Sequence, residues 1–88
     1  MNQSDIVHEV QTRLDAVAPA GTKLRVLEGL IREEEGWWYV PVEVEAEKEP
    51  RSDILYSWYA EIESDLDEER GINLLLVPAA HVGIASPV

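Results

Sequence analysis

Two histidines, five serines and eighteen carboxylates are the side chains of this 88-residue chain with the most chemistry to offer, and there is no cysteine. Without cysteine there are no disulfides, thiolate nucleophiles, Cys-based zinc sites or iron–sulfur ligands. A serine nucleophile needs a histidine and an orienting acid. Ser4, Ser52, Ser57, Ser64 and Ser86 instead fall at helix caps, along helices or in the tail, with no G-x-S-x-G elbow among them. His8 and His81 stand far apart, with no HxH or HExxH spacing. Carboxylates alone hold hard cations only where a loop alternates them, and Glu33-Glu34-Glu35-Gly36 has neither the alternation nor the length. Gly21, Gly29, Gly36, Gly71 and Gly83 are isolated, so no glycine-rich loop cradles a phosphate. The expectation is a protein that is not an enzyme and takes no metal, cofactor or small-molecule ligand.

Charge narrows the partners. The formal net charge is −11, and the acids crowd the stretch from Glu28 to Glu69. Phosphate backbones are repelled by such a field. The basic residues Arg13, Lys23, Arg25, Arg32, Lys48, Arg51 and Arg70 are scattered rather than striped, so no nucleic-acid partner is expected. The segment from Gly71 to Val88 has no charged residue, but Asn73, Pro78, His81, Gly83 and Pro87 interrupt it, and no membrane span is expected there. The first residues lack the basic and apolar regions of a secretion signal, which makes cytoplasmic residence the expectation.

Three residues carry more information than these exclusions. Trp37, Trp38 and Tyr39 are consecutive in a β-like stretch, and successive strand side chains point to opposite faces. Both faces of that strand therefore carry aromatics. Trp38 shares a face with Val40, Val42 and Val44, while Trp37 and Tyr39 share the other with Pro41, Glu43 and Glu45. Trp38 and Trp58 read as core. Trp37 and Tyr39, on a face that no helix covers, read as an association surface.

The elements that position these residues follow from periodicity. Ile6, Val7, Val10, Leu14 and Val17 recur at helical spacing after a capping Ser4, and Pro19 and Gly21 end that helix. His8, Gln11, Thr12 and Asp15 share its opposite, solvated side. Leu24 to Ile31 and Trp37 to Ala46 form a hairpin about the Glu33–Gly36 turn, with a bulge expected near Gly29, where the apolar parity of the first strand shifts. Leu55, Trp58, Tyr59, Ile62 and Leu66 mark a second helix, capped by Ser52 and terminated at Gly71. Ile72 to Val77 is an apolar run expected to be a strand covered on both faces.

The expected fold is one α+β domain over residues 1–88, in the order α-β-β-α-β, with a three-stranded sheet and two helices on one face. Residues 79–88 are expected to form an extended or partner-docking tail, the alternative being that the tail folds back over the sheet face of Trp37 and Tyr39 within one chain. Pro41 cannot donate a ladder bond, which places its strand at an edge and favours the split βαβ order 2-1-3; the third strand beside the second is the alternative. At the level of topology the order resembles the scaffold domain of iron–sulfur assembly proteins and the prokaryotic type of KH domain. The CxxC of the first and the GxxG loop of the second are both missing, so neither function carries over.

The functional expectation is a small acidic protein–protein interaction module that forms a homo-oligomer through Trp37 and Tyr39 together with Leu74, Leu76, Val82 and Ile84 of the charge-free C-terminal segment. The alternative is an acidic inhibitor or antitoxin-like protein that presents its carboxylates to a basic partner.

Overall fold

The computed structural model of the protein describes residues 2–46 and 50–79. Helix α1 (Gln3–Val17) is followed by β1 (Thr22–Val26), a single 3-10 turn (Glu28–Leu30), β2 (Arg32–Glu34), β3 (Trp37–Ala46), α2 (Ser52–Arg70) and β4 (Asn73–Pro78). The class is α+β, as expected. Each helix begins slightly earlier than the caps read from sequence. Asn2, not Ser4, caps α1, its side chain accepting from the Asp5 N–H at 2.9 Å, and Ser52 is already the first helical residue of α2. Gly71 ends α2 as expected: its φ of 67° is left-handed, and its N–H donates to the Asp67 carbonyl at 2.9 Å.

The strand order differs from 2-1-3. β3 lies in the centre, with β1 and β2 antiparallel to it along one side and β4 parallel to it on the other. α2 thus returns the chain beside the strand it left, which is the alternative arrangement. β1 and β2 are two halves of the expected first strand, parted by the 3-10 turn where a smaller bulge was expected. That break explains how a proline sits in a central strand. The Pro41 carbonyl accepts from the Leu27 N–H at 3.0 Å, so the side on which Pro41 lacks a donor also faces β1. There the neighbouring chain has left the ladder, and the β4 side of Pro41 loses nothing.

Both helices cover one face. Ile6, Val10 and Leu14 of α1 and Tyr59, Ile62 and Leu66 of α2 pack with Leu24, Val26, Val40, Val42, Leu74 and Leu76 in one core, with Trp38 and Trp58 packed against its rim. One buried group is unsatisfied: among the described residues the Tyr59 hydroxyl has no hydrogen-bond partner. Burial, helped by nearby Tyr56, pushes this phenol up to about 12. In the unfolded chain it titrates near its ordinary value of about 10. Deprotonation is therefore harder in the folded chain than in the unfolded one, so this group leaves stability unchanged with pH below about pH 10 and lowers it between about pH 10 and 12. Tyr59→Phe should raise stability at pH 7 by about 1 kcal/mol and remove part of the alkaline loss. Urea midpoints at pH 7 and 11 measure both, and a Phe variant less stable at pH 7 would reveal a partner for the hydroxyl.

The hairpin turn is tighter than the four residues read from sequence. Glu34 pairs with Trp37, leaving only Glu35 and Gly36 in the loop, with φ of 53° and 83°. Two left-handed residues make a turn of the I′ kind, which fits the twist of the flanking strands but favours Asn-Gly. A glutamate there is strained, so Glu35→Asn should stabilise by about 0.5–1 kcal/mol. Glu35→Gln removes the same charge without easing the backbone. A urea midpoint for the Asn variant no higher than that of the Gln variant would exclude the strain.

Candidate functional site

The face opposite the helices follows from the register. Trp37, Tyr39, Pro41, Glu43 and Glu45 of β3 share it with Lys23, Arg25, Arg32 and Glu34, their partners in β1 and β2, and with Asn73, Leu75 and Val77 of β4. The alternation places Trp37 and Tyr39 where they were expected. Trp37 is 41% exposed, Leu75 42% and Leu30, on the 3-10 turn, 48%. Leu30, Arg32, Tyr39, Pro41 and Val77 line a shallow groove, and the Arg32 guanidinium lies 5.7 Å from the centre of the Tyr39 ring.

Leu74 and Leu76 are corrections. They are 3% and 6% exposed because their parity points them at the helices, and Leu75 takes their place on the open face. β4 is thus not covered on both faces by the described residues. Val82 and Ile84, with the rest of the expected tail from residue 80 onward, lie outside the described residues, as do His81 and Ser86.

The charges on this face sort themselves. Lys23, Arg25 and Arg32 are matched by Glu34, Glu43 and Glu45, so the face is neutral and the rest of the chain carries the whole net charge of −11. Arg25 bridges Glu43 at 3.2 Å and also pairs with Glu45, while Arg32 approaches Glu34 at 3.7 Å. The acidic end of α2 is likewise partly answered: Arg13 of α1 meets Glu69 at 2.7 Å and Glu9 at 3.3 Å, and Arg70 meets Glu9 at 3.4 Å.

Side chains from the helices occupy part of each sheet edge, along β1 and along β4. On the β1 edge the Gln11 amide donates to the Leu24 carbonyl at 2.8 Å and accepts from the Val26 N–H at 3.0 Å, the two bonds a neighbouring strand would make. On the β4 edge Glu63 accepts the Leu76 N–H at 2.8 Å, and Pro78, two residues on, has no N–H to offer. Burial raises the Glu63 carboxyl above its ordinary value, partly offset by that bond. Sequence reading missed both roles and placed Gln11 on the solvated side of its helix.

Among the described residues no group of histidines and carboxylates is arranged to hold a metal ion. His8, Ser4, Ser52, Ser57 and Ser64 are all exposed on helices. No described helix is long and apolar enough to cross a membrane. Among the described residues the arrangement is a two-layer α+β protein with one neutral, partly aromatic sheet face that no described helix covers. No protein-family model, no curated protein and no solved structure matches the chain.

Proposed function

We propose that the protein is a small acidic protein–protein interaction module without catalytic activity, and that it self-associates through the open face of its sheet. The observation that carries this reading is the gathering of exposed Trp37, Leu75 and Leu30 around Tyr39 on the face opposite the helices. Aromatic rings anchor interfaces because they bury a large area at low entropic cost. The opposing field is the repulsion between two chains of charge −11, so the dimer should tighten as salt rises.

Light scattering at low and moderate salt tests this. The native chain should approach twice its 9.9 kDa mass, and Trp37→Ala/Tyr39→Ala should stay at that mass. A native protein still monomeric at about 100 μM, well above the micromolar range of ordinary association energies, would defeat the reading. Salt also separates it from the acidic inhibitor, whose binding to a basic protein would weaken with salt. The ion pairs of Arg13 and Arg70 at the end of α2 weigh against that alternative, because they occupy part of the acidic surface it would use.

Duplex DNA or RNA should not be retained at micromolar protein and physiological salt, since Arg25 and Arg32 are paired with carboxylates and form no stripe. A shifted band in a mobility assay would contradict this.

A further inference from the structure

We infer that the partner on the open face is a second copy of this chain, packed sheet on sheet with the two-fold axis running along β3, so that the hairpin ends of the two copies meet. The inference rests on the self-association reading and adds its geometry. Gln11 occupies the β1 edge at Leu24 and Val26, and Glu63 and Pro78 occupy the β4 edge at Leu76 and beyond, so strand addition along β1 and β4 is disfavoured and face-to-face packing is the larger contact open to a second sheet. The open face is also where two such chains repel least, being neutral while the rest carries the full −11.

A two-fold axis relating two facing sheets lies in the plane between them, either along the strands or across them. The distribution of residues distinguishes the two. Trp37, Tyr39 and Leu75 sit at the hairpin end of the face, and Lys23, Arg25, Glu43 and Glu45 at the other. An axis across the strands through Pro41 would lay Tyr39 over Glu43 and Trp37 over Glu45 of the other copy, and would bring Arg25 toward Arg32. An axis along β3 lays aromatic end on aromatic end. It also sets Arg32 and Glu34 of β2 over the uncharged Leu75 and Asn73 of β4, while Lys23 and Arg25 lie beyond the end of β4. Glu43 and Glu45 of β3 then lie over their own copies, each compensated by the Arg25 guanidinium beside it. Ten residues of β3, eight of β1 and β2 and six of β4, at about 3.3 Å per residue and about 4.8 Å between strands, give a footprint of roughly 380 Å² per copy, a small interface of the weak, reversible kind.

The lack of native cysteine makes single-cysteine labelling clean. Pyrene on Glu45→Cys, at the charged end of β3, should give excimer fluorescence above the dimerisation concentration. With the axis across the strands, two such labels would lie about 26 Å apart along the strand direction and give none. A mixture of chains labelled at Glu45→Cys and at Glu34→Cys, the hairpin end, would then give it instead. Excimer only in the mixture, or in neither sample although light scattering shows a dimer, overturns the orientation. A monomer by light scattering overturns the self-association reading itself, and the two failures are thereby separate.

Discussion

Ile62→Asp should abolish the cooperative thermal transition of this domain. Ile62 lies in the middle of α2, 1% exposed, against both helices' core residues and the inner face of the sheet. The core cluster around it holds no cation and is apolar apart from the Tyr59 hydroxyl, and burying a charge without a counter-ion costs several kcal/mol even after relaxation. A chain of this length buries only about 60–65% of its surface on folding, so its total stability is at the low end of about 5–15 kcal/mol. The substitution therefore consumes most or all of it. Ile54→Asp is the control, since Ile54 is 40% exposed one turn into the same helix and should shift stability by no more than about 0.5 kcal/mol. Far-UV circular dichroism on heating reads both. An Ile62→Asp protein that melts cooperatively at the native temperature would mean that α2 presents a different side to the sheet.

That stripe was legible because helical spacing alone selects it: Leu55, Trp58, Tyr59, Ile62 and Leu66 recur every three or four residues, and all are buried or half-buried. The face of Trp37 and Tyr39 was legible for the same reason at period two. The strand order was not, because it turned on Pro41. A proline reads as an edge residue unless one knows that the opposite chain is absent, and the 3-10 turn at Glu28–Leu30 that removes it is a tertiary fact. Leu74-Leu75-Leu76 is uniformly apolar and carries no parity of its own. Only pairing of Leu75 with Tyr39 assigns one leucine to the open face and two to the core. Gln11 is the subtler case. A helical wheel separates it from Ile6, Val10 and Leu14 and marks it as solvated, yet the flank of α1 lies along the edge of β1, where a polar side chain meets backbone rather than water.

The Gln11→Leu/Glu63→Leu double variant should lose stability and gain size. Each change leaves strand backbone groups without the partner they have now: the Leu24 carbonyl and Val26 N–H on one edge, the Leu76 N–H on the other. Orphaned groups of this kind cost about 1–3 kcal/mol each when buried, and those at a half-exposed edge recover part of that from water, so about 2–4 kcal/mol is expected for the pair. The two sites lie on opposite edges of the sheet, so their effects should add. The larger consequence is assembly. An open edge is a template for another strand, and β1 with its row of unpaired groups would pair with β1 or β4 of a second molecule. On the self-association proposed above the native chain should stop at a dimer, whereas the double variant should grow beyond it, which light scattering and thioflavin fluorescence detect. Instability alone also promotes aggregation, and Gln11→Glu separates the two causes. It keeps an acceptor for Val26, sets a carboxylate against the Leu24 carbonyl, and leaves a charge guarding the edge. This variant should be less stable than the native chain yet no larger. If the double leucine variant remains at the native size while its denaturation midpoint falls, the helix side chains are ordinary packing bonds and the edges are protected by something else.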